Sequence, residues 1–170
     1  HGMLEKRSLY EEASNVPFLL YVPWLNNDKQ TRIAGSVGQV DLVPTLLDLS
    51  HSEIPDHIEG KSLCPVLRGD EDLSDNDVFI QWNGMGDRNL GSPDINRMVS
   101  IPWRGVVTGD RWKLNLSPGD QCELYDLNTD RAELNNLFNK PEHIDRIRKM
   151  AARIRIWQDE TGDDMPLPAV

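Results

Sequence analysis

The chain has no long apolar run, few cysteines, few aromatic residues and a deficit of positive charge. Nothing approaches the ~20 consecutive apolar residues that cross a bilayer. The longest apolar block, Val16–Trp24, is strand-sized and contains Pro17 and Pro23. Cys64 and Cys122 make neither a disulfide framework nor a CxxC pair; one bridge and two free thiols both remain open. Eighteen Lys plus Arg stand against 28 Asp plus Glu, a net charge of −10. That balance excludes nucleic acid, which needs clustered Lys/Arg, and argues against an anionic membrane surface. Aromatic residues are only 6% of the chain, but five of them are Trp, bulky enough to build a core. At 170 residues the length suits one domain that buries roughly two thirds of its unfolded surface. Nothing at the start resembles a leader peptide. His1-Gly2, with no Met, leads to the expectation that this is the back part of something longer.

What is present divides into apolar segments and loops. Val16-Pro17-Phe18-Leu19-Leu20-Tyr21-Val22-Pro23 reads as a strand buried on both faces, as in an α/β sheet. Asp41 is a plausible N-cap for a helix over about 41–50, with Leu42, Thr45, Leu46 and Leu49 on one face. Residues 51–77 read as connecting chain that ends in an acidic loop, Asp70–Asp77, where a subdomain boundary is expected. Val78–Trp82 is a strand by composition, and Gly84–Pro102 reads as one long structureless loop. Arg104–Thr108 and Trp112–Leu116, around Gly109-Asp110, predict a hairpin, with a third strand at Glu123–Leu127. Ile144, Ile147, Met150/Ala151, Ile154 and Trp157 mark a helix over 141–161 that lies on a sheet and closes at Gly162. The last eight residues are expected to be extended and peripheral.

These segments, in this order, resemble the C-terminal portion of a sulfatase, of the alkaline phosphatase superfamily. Four blocks carry the likeness. The first is His1-Gly2, Lys6, Tyr10-Glu11-Glu12 and Val16-Pro17. The second is the run from Val40 to Leu49. The third is Gly60-Lys61-Ser62-Leu63-Cys64-Pro65-Val66-Leu67-Arg68-Gly69. The fourth is Glu123-Leu124-Tyr125-Asp126-Leu127 with Asp130, Glu133, Asn136 and Leu137. Arg131 stands where the family usually has Pro, a departure at the level of a turn. The resemblance implies an α/β fold, of which this chain (α+β in itself) is the end. Residues 1–75 would close the large mixed-sheet catalytic domain. Residues 76–170 would be a small subdomain of antiparallel strands with the 141–161 helix packed on it.

The resemblance also implies hydrolysis of sulfate esters by a formylglycine nucleophile, made from a Cys or Ser near the family's N-terminus, beside a calcium ion. Neither is expected in this chain. Cys64-Pro65-Val66-Leu67-Arg68 has its Pro one place too early, and Cys64 reads as a small buried apolar residue. The acidic loop lacks the Gly and the closing Glu of a calcium loop. His51 and His57 read as surface residues, and His143 as exposed. The one catalytic residue the resemblance carries over is Lys6, whose ammonium would favour charge on the leaving oxygen. For a sulfated small molecule or sugar, the expected contacts are Trp82, Asn83, Arg88, Arg97, Trp103 and Arg104, in and around Gly84–Pro102. Arg suits an anion and Trp a sugar face. Lys113 matches a lysine common in the family's hairpin and reads as structural. The rest of a sulfatase chain is the expected partner. Two alternatives stand beside this reading: a phosphodiesterase or phosphonate monoester hydrolase of the same superfamily, and a non-catalytic binding or structural module.

Overall fold

A computed structural model describes residues 8–26, 29–84 and 91–170. The chain forms two compact units, one of His1–Pro17 with Phe79–Val170, the other Phe18–Val78. In the first unit, strands β1 (Val78–Trp82), β2 (Trp103–Val107), β3 (Trp112–Leu116) and β4 (Glu123–Asp126) form a four-stranded antiparallel sheet in sequential order. The register pairs Val106 with Leu114 and Leu114 with Leu124. Strand alternation therefore sorts the side chains into two distinct faces.

One face is apolar. Val106, Leu114, Leu116 and Leu124 are buried beneath helix α6 (Ile144–Thr161) through its Ile147, Met150, Ala151 and Ile154. The spacing of three and four along α6 puts these four on one stripe. Trp157 continues it, stacked on Phe79 with ring centres 5.3 Å apart. Ile144, in the first turn, stays exposed. Gly162 ends the helix with φ 68°, a left-handed conformation that suits glycine. A 3-10 turn, Pro141–His143, precedes α6. His143 is half-buried against the Trp112 ring rather than exposed, and Arg146 lies over the same ring at 4.3 Å. The last residues are extended but not peripheral, because Leu167 and Val170 pack against the core.

The other face is mixed. Val107 and Tyr125 lie beside Gly105, Lys113, Asn115 and Glu123. The chain from Leu9 to Ser14, including the short helix α1 (Glu11–Ser14), lies on this face. A Cβ on Gly105 would come 2.7 Å from Asn115 Oδ1 and 3.1 Å from Leu9 Cδ1, so glycine is what lets this segment approach the sheet.

The second unit contains α2 (Pro23–Asn26), α3 (Leu42–Leu49) and α4 (Cys64–Arg68). Two of the sequence blocks zip together here. The Asp41 carboxylate accepts the N–H groups of Gly38 (3.1 Å) and Lys61 (3.0 Å). Thr45 accepts the Leu63 N–H at 2.9 Å, and the Ser62 hydroxyl donates to Asp48 at 2.5 Å. That hydroxyl holds the Asp48 carboxyl below the usual range. Gly60 is irreplaceable on steric grounds, since a Cβ there would lie 2.1 Å from the Val40 carbonyl oxygen. Cys64 and Cys122 are buried free thiols, and burial pushes both up.

Three further expectations change. Residues 16–22 form no strand, and Leu19 is 92% exposed. A strand buried on both faces needs neighbours, and the second unit has no strand to pair with it among its described residues. On α3 the buried positions are Pro44 and Thr45, while Leu46 is exposed, because the docked 60–64 block covers the Thr45 side. Within Gly84–Pro102 there is a helix, α5 (Pro93–Ser100), started by Pro93 at its first position.

Gly105→Ala should cost about 1–3 kcal/mol of stability by urea denaturation. It should also speed amide exchange over residues 9–14. Unchanged exchange there would show that this segment does not depend on the Gly105 contact.

Candidate functional site

Trp82 ends β1 and Trp103 begins β2, so α5 bridges the same end of the sheet that both reach. Ile80 belongs to the mixed-face cluster, and Trp82 shares its side of β1 by alternation. Trp103 shares its side with Gly105. Both indoles thus stand on the face that carries Leu9–Ser14. Trp82 Nε1 donates to the Val99 carbonyl at 3.0 Å, which ties β1 to α5. Gly84, with φ 81°, makes the exit from β1; a Cβ there would lie 2.4 Å from the Ser100 carbonyl oxygen. Both Trp side chains are half-buried, whereas Asn83 and Arg97 are exposed at this end. Lys6 and Arg88 lie outside the described residues.

Arg104 is placed differently from a substrate arginine. It is only 4% exposed and points to the α6 face. Its Nε donates to Asp163 Oδ2 at 2.7 Å and its Nη2 to Oδ1 at 2.5 Å, a bidentate pair. Its Nη1 donates to the carbonyls of Trp82 and Trp103. An anion would have to displace Asp163 to reach it, so Arg104 locks β1, β2 and the end of α6 together. The Arg104 hydrogen bonds and the Gln158 amide hold the Asp163 carboxyl at about 2, well below its usual 3.8.

The mixed face holds a polar cluster that sequence reasoning did not assemble. Lys113 is fully buried, with Nζ 3.0 Å from Glu133 Oε1, 3.1 Å from Glu11 Oε1 and 3.3 Å from Ser14 Oγ. Glu133 is 2% exposed, sits at φ 53°, and accepts the Glu11 backbone N–H on Oε2 at 2.6 Å. Burial pushes its carboxyl up, against the opposing pull of Lys113. Tyr10 donates to Glu123 Oε1 at 2.8 Å, and Asn115 Nδ2 to Glu123 Oε2 at 3.0 Å. Burial, with the neighbouring Glu123, raises both Tyr10 and Tyr125 above the usual phenol range, so both stay protonated. The signal for this cluster was a lysine flanked by Trp112 and Leu114 in a strand otherwise buried.

The fourth sequence block supports the same cluster. Asp130 accepts the N–H groups of Leu134 and Asn135, which caps the turn that delivers Glu133. Asn136 accepts the Leu124 N–H and donates to the Cys122 carbonyl, which pins that turn to β4.

Among the described residues no group of three or more His, Cys, Asp or Glu is arranged to hold a metal ion. Among them, too, no helix is long and apolar enough to cross a membrane.

A small antiparallel sheet, one long packed helix and an N-terminal segment docked on the opposite face define a sulfatase-type C-terminal region, with neighbours in the alkaline phosphatase superfamily. The chain belongs to the family described as N-sulphoglucosamine sulphohydrolase, C-terminal, which it matches over residues 1–160. It is 28% identical, over 98% of its length, to the N-acetylglucosamine-6-O-sulfatase of Bacteroides thetaiotaomicron, and covers 29% of that protein. It is similar in structure (TM-score 0.57, 25% identity) to a protein solved in complex with its substrate, D-glucosamine-2-N,6-O-disulfate, covering 74% of this chain and 24% of that one. The phosphonate monoester hydrolase of Agrobacterium radiobacter shares the fold at 23% identity and TM-score 0.53, over 71% of this chain and 24% of that one. The chain thus spans under a third of the length of these proteins.

The depressed Asp163 carboxyl sets a sign for acid stability. Its folded value lies below its unfolded one, so its contribution is complete above 3.8 and is lost as pH falls towards about 2. Asp163→Asn should remove that part of the acid slope. At neutral pH it should cost about 3 kcal/mol by leaving Arg104 buried and unpaired. Urea midpoints measured across that pH range for both proteins provide the check.

Proposed function

We propose that this chain is the C-terminal part of an enzyme that hydrolyses the sulfate ester of a sugar. The observation that carries this reading is the family match over residues 1–160, in which all four sequence blocks fall. Within that reading the formylglycine nucleophile and the calcium ion come from residues outside this chain. Lys6 places its ammonium against the leaving oxygen, where negative charge grows as the ester bond breaks. Trp82 and Trp103 stand on the face that the Lys6-bearing segment joins, half-buried and suited to a sugar ring. Arg97 and Asn83, exposed at the same sheet end, are the polar side chains left to orient a sulfated substrate, together with Arg88. Residues 1–75 would complete a larger catalytic domain. The exposed Phe18, Leu19, Tyr21 and Trp24 support a missing sheet neighbour, because an apolar run left open to water is what such a neighbour would cover, although residues 1–17 group with the C-terminal sheet.

The phosphonate monoester hydrolase likeness keeps a phosphoryl substrate as the second reading, on fold alone. A sulfated glucosamine and a phosphodiester, offered to the polypeptide that contains this chain, separate the two. Sulfate release in preference to phosphoryl release is expected, and the reverse preference would overturn the first reading. In the same protein Lys6→Ala should lower kcat about 100-fold. Arg97→Ala should act mainly on KM, raising it about 10-fold, the mark of lost ground-state binding. The 170-residue chain alone should not turn over a chromogenic aryl sulfate.

A further inference from the structure

We propose that Lys113, clamped between Glu133 and Glu11, is a positioning residue for the segment that carries Lys6, so that a salt bridge inside the C-terminal sheet governs the reactivity of a lysine at the other end of the chain. This rests on the reading of Lys6 given above. The separation in sequence is large: Lys113 lies 102 residues from Glu11, and Glu133 lies 122 residues from it.

The geometry is directional. The Lys113 ammonium donates to Glu11 Oε1 and Ser14 Oγ and forms an ion pair with Glu133 Oε1, 3.0 Å away. Both of those acceptors belong to α1, and the Glu11 backbone N–H returns a bond to Glu133. The segment is thus held by both a side chain and the main chain, while Tyr10 is tied to Glu123 and Leu9 rests on Gly105. Lys6 is three residues before Leu9, a tether of about 10 Å at full extension.

Stability alone does not account for this arrangement. A buried ion pair is often matched or exceeded in stability by apolar side chains of similar volume, and apolar residues flank Lys113 along β3. Glu133 is also held in the left-handed region, which costs a non-glycine residue about 1–2 kcal/mol. What the charged cluster adds over an apolar one is a fixed register and orientation for the docked segment. Orientation of a reacting group is worth much in rate, and a misplacement of about 1 Å can cost about 100-fold.

The test uses the polypeptide that contains this chain and a sulfated glucosamine substrate. Lys113→Met keeps the length of the side chain and removes its charge. It should lower kcat about 100-fold with KM nearly unchanged. Glu11→Gln leaves Lys113 paired with Glu133, so it folds even where Lys113→Met does not. It should lower kcat about 10-fold. Combined with Lys6→Ala, each should add little further loss, because they act through the same lysine. Faster amide exchange over residues 9–14 should accompany the loss. A folded Lys113→Met or Glu11→Gln protein with normal kcat, or losses that simply multiply with that of Lys6→Ala, would overturn the proposal while leaving Lys6 in place. Normal activity in Lys6→Ala would instead overturn the earlier reading.

Discussion

Lys113 is the residue on which the arrangement of the small unit turns. Its ammonium has no access to water and is balanced by Glu133, 20 residues further along (133 − 113), and by Glu11, 102 residues earlier. Removing one partner of such a buried pair leaves an uncompensated charge, a cost of about 3–5 kcal/mol. That penalty couples the hairpin, the turn at 130–137 and the segment at 9–14 into one structure. The turn is shaped for this purpose: Asp130 caps it, Asn136 fastens it to β4, and Glu133 takes up a left-handed backbone at its centre.

The two faces of the sheet divide the work. On one, Val106, Leu114, Leu116 and Leu124 meet α6 in an ordinary apolar core, closed at one end by the Arg104–Asp163 pair. On the other, polar side chains that would be costly alone pair with one another and hold the N-terminal segment, although the buried Asn115 Oδ1 is left without a hydrogen-bond partner. Trp82 and Trp103 belong to this second face, at the sheet end bridged by α5. The docked segment and the two half-buried indoles thus share one face. Arg104, on the first face, belongs to the scaffold instead.

Local patterns were legible wherever the physics is local. The period of α6, the Gly109-Asp110 hairpin and the Pro-led start before Ile144 follow from side-chain spacing and turn chemistry. The helix inside Gly84–Pro102 was hidden by its flanking glycines and prolines. Trp82 bonds to its Val99 carbonyl, a contact that only the folded chain makes. The run from Val16 to Val22 misled in the other direction. Its composition is that of an interior strand, but a strand is a property of a pair, and the described residues of the second unit offer no partner strand.

From the sequence alone followed the resemblance to sulfatases, the antiparallel sheet with its packed helix, and the short list of charged and aromatic residues worth following. Which of those residues face one another was decided by the tertiary structure. Strand alternation and register put Trp82 and Trp103 on the face of the docked segment and turned Arg104 away to Asp163. The partnership of Lys113 with Glu11 and Glu133 could not be read from spacing. Contacts across more than 100 residues of chain leave no local period, and the low dielectric that makes them strong exists only once the sheet has closed over them.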